Sequence, residues 1–133
     1  MPAAGAGPLT ARPAPDAIVD AAWVRAHLDS STKILDVRTP QEYKDGHLPG
    51  ATLILWSDLF ENQRTQKFKS LEAIKALLAS AGVAPGQEVV TYCAVGMRAS
   101  LMYWAARSVG TPARVYLGSW QEWRRDSANP IAK

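Results

Sequence analysis

The chain has 133 residues, 47% of them hydrophobic and 20% charged, which is ordinary for one globular domain of moderate size. Fifteen Lys and Arg against twelve Asp and Glu give a net charge of +3 without a dense basic run. This pattern argues against a nucleic acid partner and is compatible with small anions. The single cysteine excludes an intrachain disulfide, and one Cys with two His excludes a zinc site of four Cys/His ligands.

The N-terminal segment differs in composition from the rest of the chain. Residues 1–15 are rich in Ala, Pro and Gly, which predicts a flexible tail or linker, with the folded domain spanning residues 16–133. This segment fits either an expression leftover or a linker behind an earlier domain. It lacks the basic start and apolar run of a signal peptide, and no stretch of the chain approaches 18 apolar residues. We therefore expect no membrane partner and a cytoplasmic location.

Short apolar runs alternate with helical patterns along the chain. Asp20 and Ser70 stand where helix N-caps are expected, and Pro40 stands at a first helical position. The predicted strands are 33–38, 51–55, 87–92 and 113–117, and the predicted helices start at Asp20, Pro40, Ser70 and Arg98, with one helical turn near Trp56. The alternation predicts an α/β domain with a mainly parallel sheet.

The segment "VVTYCAVGMRAS", residues 89–100, contains the only cysteine of the chain. Cys93 follows a predicted strand and precedes a predicted helix, the edge at which open α/β sheets bind ligands. The unpaired amides of the helix N-terminus and the nearby Arg98 favour a thiolate, and Gly96 allows a tight turn that aims amides at it. A lone cysteine is often only a small buried hydrophobe. The strand–loop–helix context favours a nucleophile here.

Other motifs have structural interpretations as well as chemical ones. Asp36 and Arg38 follow a neighbouring strand, and an ion pair that anchors a loop is favoured over direct chemistry. His47 lies in a Gly/Pro turn, so we predict no Cys–His dyad with His47 or with His27. The pair Trp120 and Trp123 fits core packing, and the alternative is one wall of a pocket.

Three segments in this order resemble the rhodanese family of sulfurtransferases. They are "ILDVRTPQEYKDGHLPGA", "YCAVGMRAS" and "ARVYLGSWQEW", and the resemblance runs from about Ile18 to about Asn129. It implies a rhodanese-like three-layer fold, with a mainly parallel five-stranded sheet between helices on both faces. The chain would be a single-domain sulfurtransferase or the C-terminal catalytic domain of a tandem thiosulfate sulfurtransferase. Leu117 stands where the family more often has an acidic or small residue, and we expect no effect on the chemistry.

The resemblance implies that Cys93 carries a persulfide in transfer from thiosulfate or a similar small anionic donor. The acceptor would be cyanide, a small thiol or a protein thiol, and neither a metal nor an organic cofactor is implied. The residues that the resemblance assigns are Cys93 as catalytic, Arg98, Ala94, Val95, Gly96 and Met97 as substrate-binding, and Asp36 and Arg38 as supporting.

Two alternatives to a thiosulfate-using enzyme follow from the same segments. Glu42 stands where vertebrate-type thiosulfate enzymes of the family carry a second arginine, and the loop residues Ala94, Val95 and Met97 include no lysine as theirs do, which predicts a lower affinity for thiosulfate. A persulfide carrier that serves a protein partner is the main alternative, and it differs from the enzyme only in its kinetics. A Cys-dependent phosphatase is less favoured, because the loop from Cys93 to Arg98 has six residues instead of the seven of a Cys-x5-Arg loop.

Overall fold

The computed structural model describes residues 17–62, 64 and 67–133, so the predicted tail over 1–15 lies outside the described residues. Strands and helices alternate along the described part of the chain. In chain order they are β1 (Ile18–Val19), α1 (Ala21–Ala26), β2 (Lys33–Asp36), α2 (Pro40–Asp45), β3 (Thr52–Leu53), a 3₁₀ helix (Trp56–Leu59), α3 (Leu71–Ser80), β4 (Val89–Tyr92), α4 (Met97–Ser108), β5 (Ala113–Tyr116) and α5 (Ser119–Arg125).

The five strands form one sheet in the order β1-β5-β4-β2-β3, and every pairing between them is parallel. In the register, Thr91 of β4 lies between Leu35 of β2 and Val115 of β5. The predicted α/β class and five-stranded parallel sheet are confirmed. The residue pattern located four of these strands. It missed β1, which has only two residues, too few for an apolar alternation to be visible.

The helix starts follow from local capping. The side chain of Asp20 accepts from the amide of Trp23, and that of Ser70 accepts from Ala73, as the sequence predicts. In α2, Thr39 and Glu42 form a reciprocal capping box. The longest helix, α4, has 12 residues, and no helix in the described ranges has the length and apolarity needed to cross a bilayer.

Helices cover both faces of the sheet because alternate strand residues point to opposite sides. One core layer packs strand residues against α3 and α4 and includes Leu35, Val89, Val115, Ile74 and Met102. The other packs strand residues against α1 and α5 and includes Ile34, Val90, Tyr116, Val24 and Trp123. This three-layer arrangement matches the predicted fold class.

A buried polar network lies at the carboxyl ends of β2 and β4. Arg38 Nη2 lies 2.7 Å from Asp36 Oδ2, Arg38 Nε donates to Asp36 Oδ1 at 3.0 Å, and both residues are almost fully buried. Arg38 Nη2 also donates to the carbonyl of Gly46 at 2.7 Å. The network thus contains the ion pair that the sequence favours, and it holds the turn after α2 against the sheet.

Tyr92 completes the network from the neighbouring strand. Its hydroxyl donates to Asp36 Oδ2 at 2.6 Å and accepts from the amide of Leu48 at 3.1 Å. Burial, reinforced by the negative charge of Asp36, raises the pKa of Tyr92 well above its usual range. The hydroxyl therefore stays protonated at neutral pH and donates to the carboxylate of Asp36.

This network predicts a large stability cost when the carboxylate is lost. Asp36→Asn leaves the guanidinium of Arg38 buried without an opposing charge, and removing one partner of a buried pair costs about 3–5 kcal/mol. The matched control, Tyr92→Phe, removes only the hydroxyl. It leaves Asp36 Oδ2 and the amide of Leu48 without this partner, which should lower the free energy of unfolding by about 1–3 kcal/mol. Urea denaturation measures both free energies of unfolding. A loss in Asp36→Asn no larger than that in Tyr92→Phe would contradict this ranking.

Candidate functional site

Cys93 lies directly after β4, at the carboxyl edge of the sheet, and its residue surface is 0% exposed. Its Sγ accepts hydrogen bonds from the amides of Gly96 at 3.0 Å and Ala99 at 3.3 Å. The sulfur thus faces the loop and the first turn of α4. Amides that point at one atom stabilise negative charge on it, so this position suits a thiolate or a sulfur anion bonded to it.

The loop between Cys93 and α4 is open to solvent on its outer side. Val95 is 55% exposed and Met97 is 77% exposed, whereas Gly96 is buried. Among the residues that the structure describes, no acceptor bonds to the amides of Ala94, Val95, Met97 and Arg98. These donors remain available to an anion, and the bond from Ala99 places one further donor just beyond the predicted loop.

Gly96 is required by the backbone conformation of this loop. It caps α4 with φ of +100°, a region that favours glycine, and its amide is one of the two that bond Sγ. A Cβ atom at this position would lie 2.6 Å from the carbonyl oxygen of Leu117. The close approach of these two backbones leaves no space for a side chain, so glycine allows the turn at Cys93.

The backbone of Cys93 is held by the segment that follows β5. Its amide donates to Ser119 Oγ at 3.1 Å, and its carbonyl accepts from the amide of Trp120 at 2.8 Å. Ser119 Oγ in turn donates to the carbonyl of Tyr116 at 2.8 Å. Ser119 is fully buried with φ of +57°, which is unusual for a residue other than glycine.

Sequence reasoning missed the role of Ser119. The available signal was its position beside Gly118 and Trp120 in the third family-like segment, "ARVYLGSWQEW". The two tryptophans of this segment have different environments. Trp123 is fully buried in the core, as the favoured interpretation has it, and Trp120 is partly buried with its ring 4.7 Å from the guanidinium carbon of Arg38.

Arg98 lies in the first turn of α4 and forms an ion pair across to α2. Its Nη1 lies 3.2 Å from Glu42 Oε1, and its Nη2 lies 3.4 Å from Glu42 Oε2. Burial opposes ionisation of Glu42, but the hydrogen bonds from Arg98 and Thr39 and the charge of Arg98 outweigh it, so the pKa of Glu42 lies below its ordinary value. The carboxylate is therefore charged at neutral pH and engages both terminal nitrogens of Arg98.

The remaining candidates form hydrogen bonds with groups other than the sulfur. Asp36 and Arg38 bond each other, Gly46 and Tyr92, so they act on the turn after α2. His47 Nδ1 pairs with the carbonyl of Tyr43 at 2.8 Å, and neither histidine is hydrogen-bonded to Cys93. Within the described ranges, no three His, Cys, Asp or Glu side chains come together in a group that could hold a metal ion.

Comparisons with known proteins agree on one family. A family model described as "Rhodanese-like domain" matches residues 20–126. A thiosulfate sulfurtransferase of Azotobacter vinelandii is 34% identical over 107 residues, which cover 74% of this chain and 39% of that protein. The sulfur carrier protein TtuD of Thermus thermophilus is 33% identical over 118 residues, which cover 75% of this chain and 41% of that protein.

A solved structure shows the same fold. SseA of Escherichia coli, described with the "Rhodanese" fold of 3-mercaptopyruvate sulfotransferases, matches with a TM-score of 0.70 at 24% identity. The match covers 82% of this chain and 44% of that one. The chain thus spans less than half the length of each of these three proteins.

The contact between Gly96 and Leu117 gives a prediction with a matched control. Gly96→Ala places a methyl group against a backbone carbonyl, and this overpacking should cost about 1–3 kcal/mol in addition to the strain of a positive φ. Gly110 also has a positive φ, +83°, but no described atom lies within 4 Å of a Cβ built there. Gly110→Ala should therefore cost only the conformational strain, about 1–2 kcal/mol. Chemical denaturation compares the two variants, and equal losses would show that the close approach of Leu117 is not limiting.

Proposed function

Because the chain belongs to the rhodanese-like domain family, we propose that it is a sulfurtransferase that uses a persulfide on Cys93. It moves sulfane sulfur from thiosulfate or a similar donor to a thiophilic acceptor. The observation that carries this proposal is the position of Cys93 Sγ, which is buried at the carboxyl edge of the sheet and bonded by two amides, those of Gly96 and Ala99. Amides aimed at one atom stabilise the negative charge that a sulfur atom carries during transfer.

In the first half-reaction, the Cys93 thiolate attacks the outer sulfur of the donor. A sulfur–sulfur bond to Cys93 forms while the sulfur–sulfur bond of thiosulfate breaks, and sulfite leaves with the electron pair of the broken bond. The negative charge then rests on the outer sulfur of the persulfide. The amides of Val95, Met97 and Arg98, which have no acceptor within the described residues, are the donors available to this charge.

In the second half-reaction, the acceptor attacks the outer sulfur and the Cys93 thiolate leaves. Cyanide would give thiocyanate, and a thiolate would give a new persulfide. Because Cys93 is the only cysteine among these 133 residues, none of them supplies a second thiol to resolve the persulfide, and the acceptor brings its own nucleophile. Two half-reactions through a covalent intermediate predict ping-pong kinetics.

Arg98 closes this loop, and we assign its guanidinium to the anionic end of the donor. Its guanidinium has a planar fork that suits a sulfonate or carboxylate. It also lies in the first turn of α4, beside the amides that serve the sulfur. Asp36 and Arg38 act indirectly, by holding the turn that follows α2 against the sheet.

A carrier role is the second candidate, and two observations favour it. One relative, 33% identical, is named a sulfur carrier protein. The side chains around the loop are exposed and apolar, with Val95 at 55%, Met97 at 77% and Leu117 at 37% exposure, which suits contact with a protein surface. In this role the chain accepts sulfur and delivers it to a protein thiol, with little turnover on small molecules.

Steady-state kinetics with thiosulfate and cyanide test the proposal. Cys93→Ser should abolish thiocyanate formation, because a hydroxyl is a far weaker nucleophile than a thiolate and cannot carry the persulfide. Circular dichroism of the variant checks that the fold is intact. Many turnovers per wild-type molecule support the enzyme, whereas loading without turnover supports the carrier. Full activity in Cys93→Ser would rule out the mechanism.

A further inference from the structure

We infer that Glu42 is a specificity-determining residue that occupies the anion-binding fork of Arg98 and disfavours doubly charged sulfur donors relative to singly charged ones. The inference rests on the proposed function and adds the substrate class. The carboxylate of Glu42 should lower kcat/KM more for thiosulfate than for donors with one negative charge, such as thiosulfonates or organic persulfides.

The geometry shows direct competition for Arg98. Its two terminal nitrogens lie 3.2 and 3.4 Å from the two carboxylate oxygens of Glu42. This is the two-point contact that a sulfonate would otherwise make with a guanidinium. An anionic donor must therefore displace the carboxylate or bind beside it, and in the second case it meets the charge of Glu42.

Glu42 is kept in this place by a second set of contacts. Its Oε1 accepts from the amide of Thr39 at 3.0 Å and from Thr39 Oγ1 at 3.1 Å, as part of the capping box of α2. The carboxylate is thus fixed by its own helix as well as by Arg98. The donor cannot simply push the side chain into solvent without also breaking the cap.

The pair is nevertheless accessible to a small molecule. The side chain of Arg98 is 25% exposed and that of Glu42 is 36% exposed. The nearby cation Arg38 does not offer a substitute, because it is 2% exposed and bonds Asp36 and Gly46. An anionic donor at this pair therefore interacts with both Arg98 and Glu42, whose opposite charges nearly cancel.

The test uses two donors that differ in charge but transfer sulfur by the same step. Thiosulfate carries two negative charges, and methanethiosulfonate, in which a methyl group replaces one oxygen, carries one. In both, the Cys93 thiolate takes the outer sulfur, the sulfur–sulfur bond of the donor breaks, and sulfite or methanesulfinate leaves with the electron pair. Differences in intrinsic reactivity cancel when the ratio of the two kcat/KM values is compared between variants.

The informative variant is Glu42→Gln. Its amide oxygen can still accept from Thr39, so the cap is retained while the charge is lost. Glu88→Gln is the matched control. Glu88 is 32% exposed and forms an ion pair with Arg114 at 2.9 Å, but it lies just before β4, at the amino end of the strand and away from Cys93 at its carboxyl end. The control should leave the ratio unchanged.

The electrostatic energy between Glu42 and a donor is proportional to the charge of the donor. If Glu42→Gln raises kcat/KM about threefold for methanethiosulfonate, it should raise kcat/KM roughly tenfold for thiosulfate, which has twice the charge. The ratio of kcat/KM for thiosulfate to that for methanethiosulfonate should therefore rise about threefold. An unchanged or lower ratio, with wild-type transfer from both donors intact, would overturn the role of Glu42 and leave the proposed function standing. If the wild-type protein took sulfur from neither donor, both the role of Glu42 and the proposed function would be overturned.

Discussion

The position of the Cys93 sulfur depends on two hydrogen bonds that the backbone of Cys93 makes. The amide of Cys93 donates to Ser119, and its carbonyl accepts from Trp120, so the residue is held on both sides by the segment after β5. This holds Cys93 at the carboxyl end of β4, where its side chain meets the amides that begin α4. The segments that follow the two adjacent strands β4 and β5 therefore form the site together, and the loop after β4 does not determine it alone. The buried positive-φ conformation of Ser119 is the local strain that this arrangement requires.

Most of the fold could be predicted from the sequence because its signals are local. The caps at Asp20 and Ser70 and the buried run of β4 depend on neighbouring residues, and the structure contains each of them. The strand Ile18–Val19 could not be found in this way, because two residues show no period and are defined by pairing with β5. The hydrogen bond from the amide of Cys93 to Ser119 Oγ was missed for the same reason. It joins positions 26 residues apart, and only the sheet register brings them together.

The charges of the site show the same limit. Cys93 and Arg98 could be singled out from their spacing around Gly96, and the structure places Cys93 directly after β4 and Arg98 in the first turn of α4. Their placement alone suggests an open cationic site. The contact of Arg98 with Glu42 of α2 changes that view, because it joins residues 56 positions apart and nearly neutralises the fork. Together with the exposed side chains of Val95 and Met97, it gives the approach to Cys93 a more apolar and less cationic surface than the loop sequence suggests.

In the proposed mechanism, the sulfur atom in transit is bonded to Cys93. Intact mass spectrometry of the wild-type protein, after incubation with thiosulfate and removal of excess reagent, detects this bond. We expect a gain of one sulfur atom, about 32 Da, at a stoichiometry of one per chain, and peptide mapping should place it on Cys93. Addition of cyanide should return the original mass and release one equivalent of thiocyanate. An unchanged mass after thiosulfate, or sulfur that cyanide does not remove, would rule out a persulfide on Cys93 as the transfer intermediate.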